Sequence, residues 1–122
     1  INQLEQSRAY SIREFLHLIG RELAEIAHED GVLTSAFKAR VPVFCPDLIG
    51  SEMSVGIVRS RFEKKSQFTF DIVQDTLEMM TIAQRTRNSG IITLGTVESQ
   101  NMVNMTEMSS YITRTNTRGH KY

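Results

Sequence analysis

Apolar residues recur at three- and four-residue spacing near the start of the chain, at Ile12, Phe15, Leu16, Ile19, Leu23 and Ile26. That period predicts an amphipathic helix over 11–28 with one apolar stripe. Ser11 and Glu14 stand in the S-x-x-E arrangement of a capping box, in which each side chain satisfies a free amide of the first turn. Gly20 falls mid-helix, where glycine costs up to about 1 kcal/mol against alanine, so its bare backbone suits close packing. Glu29-Asp30-Gly31 ends the segment, and 32–39 predicts a short helix. A second clear helix is predicted over 70–87, where Ile72, Val73, Leu77, Met80 and the pair Ile82/Ala83 keep helical spacing. Asp71 and Asp75 near its start and Arg85 and Arg87 near its end suit the helix dipole.

Between these lie short β-branched runs. The residues 41–45 predict a buried strand, with Pro42 near its start, where a missing N–H is tolerable. Pro46-Asp47-Leu48-Ile49-Gly50-Ser51 predicts a turn into a helix beginning at Ser51 or Glu52, and 62–67 a polar, basic connection. Asn88-Ser89-Gly90 stops the long helix, and 91–94 predict a second strand. A loop over 95–99, a methionine-rich helix over 100–112, a polar link over 114–118 and the start of a third strand at 120–122 complete the chain. Strands alternating with helices imply an α/β fold with a parallel sheet covered on both faces. A length of 122 residues fits a single domain, or part of one, over 1–122.

Composition narrows the function. Fourteen basic and fourteen acidic residues give a formal net charge of zero, which disfavours nucleic acid as the main partner. No apolar run reaches the length of a membrane span, so no membrane association is expected. Cys45 is the single cysteine, which excludes an internal disulfide and favours a cytoplasmic, reducing setting. In an apolar run without a histidine nearby, Cys45 reads as core. His17 and His28 are too far apart on one helix for metal-ligand spacing, so no metal site is expected. Arg59, Arg61, Lys64 and Lys65 read as a solvated basic face. Five of the six methionines, Met79, Met80, Met102, Met105 and Met108, read as helix packing that also suits an adaptable subunit interface. The chain opens on Ile1 and closes on Gly119-His120-Lys121-Tyr122, which reads as a piece of a longer protein.

Ligands of open parallel sheets bind beyond the carboxyl ends of strands. Two such ends are expected here, at 46–51 and 95–101, each followed by a helix N-terminus whose free amides suit an anion. On residue pattern alone, plain strand-to-helix connections remain an equal reading.

Taken together, the segments 10–16, 29–37, 41–46, 70–75 and 119–122 resemble the deoxyhypusine synthase family, in its bacterial and archaeal branch. Tyr10-Ser11-Ile12-Arg13-Glu14-Phe15-Leu16 resembles its YSTREFL. The run Glu29-Asp30-Gly31-Val32-Leu33-Thr34-Ser35-Ala36-Phe37 is similar to its EDSILTAAY, and Val41-Pro42-Val43-Phe44-Cys45-Pro46 to its VPVYCP. Phe70-Asp71-Ile72-Val73-Gln74-Asp75 resembles its FDVIQD, and Gly119-His120-Lys121-Tyr122 the opening of its GHKYAIQ. These matches keep the family's order over nearly the whole chain.

The resemblance implies a Rossmann-like three-layer αβα fold with NAD as cofactor. It implies an aminobutyl transfer from spermidine to a lysine of a translation initiation factor, in a cytoplasmic homotetramer with active sites across dimer interfaces. It assigns Gly95 to the first position of a cofactor-binding glycine triplet, with Thr96 and Val97 in the next two places. A Cβ there narrows the backbone's approach to the cofactor, and valine adopts positive φ poorly. Ser51 keeps the serine of an aspartate–serine pair, while Gly50 takes the aspartate's place and Asp47 lies two or three residues early, where a local shift brings it in. Glu52 replaces a small residue. Asn101 takes a spermidine-contacting position that is histidine in the eukaryotic enzymes; asparagine donates and accepts hydrogen bonds but does not titrate. The family's catalytic lysine belongs to a tryptophan-glycine-lysine motif beyond the GHKY segment, and this chain contains no tryptophan. No catalytic residue is therefore assigned, and the chain as it stands is not expected to complete the reaction. Two alternatives stay open: a catalytically silent or regulatory subunit, homo- or hetero-oligomeric, and a homospermidine synthase-like transferase acting on another polyamine.

Overall fold

A computed structural model describes residues 8–48, 50–63, 68–86, 88–95 and 100–106. In chain order the elements are β1 (Ala9–Tyr10), α1 (Ile12–Ile26), α2 (Val32–Ala39), α3 (Met53–Phe62), β2 (Thr69–Phe70) and α4 (Ile72–Arg85), then α5 over 100–106. The chain divides into two compact units, Ile1–Ile72 and Val73–Tyr122. The predicted link at 114–118 and strand at 120–122, and parts of the predicted segments 62–67, 95–99 and 100–112, lie outside the described residues.

In the first unit, β1 and β2 pair in parallel, with Ala9 opposite Thr69 and Tyr10 opposite Phe70. Thr69 N donates to Arg8 O at 3.3 Å, and Asp71 N donates to Tyr10 O at 2.8 Å. The two strands are built alike: an aromatic residue, then a short polar residue, then an isoleucine that opens a helix. Ser11 is the N-cap of α1, in extended conformation, and its Oγ accepts from Glu14 N at 3.1 Å, one of the two bonds of the expected capping box. The Glu14 carboxylate also holds Arg8 Nη2 at 2.6 Å. That carboxylate is the main cause of a raised guanidinium pKa at Arg8, and Tyr10, whose ring lies 4.6 Å away, adds to it.

The core of this unit is Tyr10, Ile12, Phe15, Leu16, Leu48 and Phe68. Phe15 stacks on Phe68 with centroids 5.8 Å apart and meets Phe70 edge-on at 5.0 Å. Phe68 and Phe70 are themselves edge-on at 5.4 Å. Such ring pairs contribute about 0.5–1.5 kcal/mol each beyond area burial. They clamp β2 to α1 although the two are far apart in sequence.

The expected close approach at Gly20 is present. A Cβ built there would stand 2.7 Å from Leu33 O and 3.2 Å from Phe37 Cβ, so α2 lies directly against the α1 backbone. The start of α2 is tied by Thr34, whose hydroxyl accepts from Gly31 N at 2.7 Å and donates to Gly31 O at 3.0 Å. Its end is a Schellman motif: Arg40 is left-handed at φ 57°, Arg40 N donates to Phe37 O and Val41 N donates to Ala36 O.

That motif explains a correction. The residues 41–45 are not a strand. The Val41 amide is committed to α2 and Pro42 has none, so the first two ladder donors are gone. Val43 and Cys45 still pack against the core, with Cys45 a half-buried free thiol. The residues 91–94 are not a strand either, and Ile92 and Leu94 are 91% and 90% exposed. β-Branched residues favour a strand through packing against neighbouring strands, and none pairs with this run among the described residues.

In the second unit, α4 buries Asp75 and Met80, while Val73, Leu77 and Ile82 of the expected apolar stripe are exposed. Thr81 and Thr86 turn their hydroxyls back onto the Leu77 and Ile82 carbonyls, at 2.9 and 2.7 Å. In α5, Thr106 is fully buried and its hydroxyl donates to Met102 O at 3.0 Å. The architecture of the described residues is thus mixed α/β, with one parallel strand pair and five helices.

Candidate functional site

The polar turn that leads into α3 belongs to the first unit. Leu48, 2% exposed, anchors it in the core. Asp47 Oδ1 accepts the Gly50 N–H at 2.9 Å. A Cβ at Gly50 would meet the Asp47 carboxylate, with Asp47 Cγ at 2.9 Å. The carboxylate of Asp47 thus occupies the space a side chain at position 50 would use. The sequence pattern separates these two positions by three residues; the turn brings them together. The signal that could have revealed it is an Asp followed by a turn glycine, since short acidic side chains bond backbone amides a few residues on.

Ser51 is half-buried beside them. Its hydroxyl donates to Leu48 O at 2.6 Å, and its amide donates to the same oxygen at 3.1 Å. A serine hydroxyl has one proton to donate and two lone pairs to accept with. With the proton committed, Ser51 Oγ meets a ligand as an acceptor. The Asp47 carboxylate is also an acceptor, and Glu52 adds an exposed negative charge with no capping hydrogen bond.

Several amides at the expected anion site at 46–51 are already engaged. The amides of Gly50, Ser51, Ser54 and Val55 already donate, to Asp47, Leu48, Ser51 and Glu52 respectively. Free amides are what make a helix start attract anions. With those four engaged, the carboxylates of Asp47 and Glu52 adjoin the turn as further acceptors.

The other expected site residues belong to the second unit. Gly95 has φ +91°, and among the described residues no atom beyond its chain neighbours lies within 4 Å of where its Cβ would stand. Positive φ suits glycine, and the empty space leaves its backbone open to a ligand. Asn101 is exposed in α5. Thr96 lies outside the described residues, as does Val97. The structure therefore joins Asp47, Gly50 and Ser51 in one turn, and places Gly95 and Asn101 on either side of 96–99.

His17 is exposed with its ring 5.1 Å from Phe37, and His28 is exposed. No group of three metal-ligating side chains occurs among the described residues. No helix among them is long and apolar enough to cross a membrane.

Parallel strands that each lead directly into a helix, the first of them capped by Ser11, with a polar turn at the start of a further helix, define a mixed α/β protein. Residues 1–122 match the family model for deoxyhypusine synthase, and the chain belongs to that family. Probable deoxyhypusine synthase 2 of Methanosarcina mazei is 30% identical over 113 residues, covering 92% of this chain and 32% of the relative. The deoxyhypusine synthase-like protein of Caulobacter vibrioides is 30% identical over 127 residues, covering 99% and 34%. Probable deoxyhypusine synthase 2 of Archaeoglobus fulgidus is 28% identical over 118 residues, covering 97% and 38%. The chain spans about a third of the length of these relatives. No solved structure matches it at a significant level.

Proposed function

We propose that this chain is part of an NAD-dependent aminobutyl transferase that moves the butylamine group of spermidine to a lysine of a translation initiation factor. The observation that carries this reading is the family match over residues 1–122. In the same reading the chain contributes to a Rossmann-like three-layer αβα fold and works in a cytoplasmic oligomer, a homotetramer by family analogy.

The residues present fit NAD in two respects. Gly95, at φ +91° with open space around it, offers backbone that a cofactor can approach closely, with Thr96 next in line. Ser51 Oγ, with its proton committed to Leu48 O, accepts from a donor such as a ribose hydroxyl. When bound, NAD would supply the hydride acceptor for oxidation of spermidine. The chain's own residues bind and orient. Asn101 offers both a donor and an acceptor to the polyamine. The imine-forming lysine is not assigned to any residue of this chain.

The test offers labelled spermidine and NAD to the protein, with the translation factor and free diamines side by side. Label on the factor lysine supports the reading; label only on diamines indicates the homospermidine synthase-like alternative and overturns the choice of acceptor.

A second reading is a catalytically silent or regulatory family subunit. It is favoured by Gly50 in the aspartate's place and by Thr96 and Val97 in the glycine triplet. Absence of label on any acceptor, with stable association to an active family member, supports it.

A further inference from the structure

We draw no further inference here: the strongest candidate, the exposed apolar stripe of Val55, Val58 and Phe62 along α3, carries nothing because nothing in the structure shows what covers it.

Discussion

The Asp47 carboxylate lies over Gly50, accepting its N–H at 2.9 Å and filling the place of its missing side chain. The two residues therefore depend on one hydrogen bond. Asp47→Ala removes the acceptor. Gly50→Ala forces the carboxylate away, because the new Cβ and the carboxylate cannot share that space. Each change is expected to cost about 0.5–1.5 kcal/mol, the usual net worth of such a bond. The double variant should cost little more than either single one, since the same interaction is lost. Urea unfolding of the four proteins reads this directly; additive losses would show that the two residues act independently.

Gly20 tests the contact between α1 and α2. Alanine at an exposed helix position gains up to about 1 kcal/mol over glycine. Here its Cβ would press on Leu33 O, a backbone atom that cannot swing aside, and overpacking of that kind costs about 1–3 kcal/mol. Gly20→Ala is therefore expected to lower the unfolding free energy despite better helix propensity. A rise in thermal midpoint by circular dichroism would show that the helices are not in such close contact.

Phe15 and Phe62 separate core from surface. Phe15 is 1% exposed within the aromatic cluster, and Phe62 is 86% exposed on α3. Phe15→Ala should cost about 3–5 kcal/mol, from lost burial and the cavity left behind. Phe62→Ala should stay within about 0.5 kcal/mol. Chemical denaturation of both variants in the same buffer checks the contrast. A large loss at Phe62 would mean that its ring is covered in solution.

Helices were legible in the sequence where capping and period agreed. Ser11 and the stripe from Ile12 to Ile26 placed α1, which ends at Ile26, two residues before the expected limit. The strands were not legible. β1 and β2 have two residues each, too few to show an alternating pattern. The more strand-like run at 41–45 lost its first donors to the α2 cap and to Pro42. In α4, helical spacing marked Val73 and Leu77 as core, but spacing alone does not say whether a neighbour is present, and both are exposed.

The site was legible in a similarly uneven way. Gly95 was assigned through the family pattern, and its positive φ is the conformation for which glycine is suited. The meeting of Asp47 with Gly50 depends on how the turn closes, which residue order alone does not state. The commitment of the Ser51 proton to Leu48 O is likewise a matter of geometry. It leaves the Ser51 oxygen to meet a ligand as an acceptor.

The most direct test of the proposed function is calorimetric titration of the protein carrying this sequence with NAD, beside its Gly95→Val variant. Valine at φ +91° is strained, so a thermal melt of the variant must accompany the titration. With Phe62→Ala as a surface control, the account predicts saturable binding by the parent and control. It predicts affinity at least tenfold weaker in a still folded Gly95→Val protein. Absence of saturable NAD binding by the parent, or equal affinity in the folded variant, would contradict it.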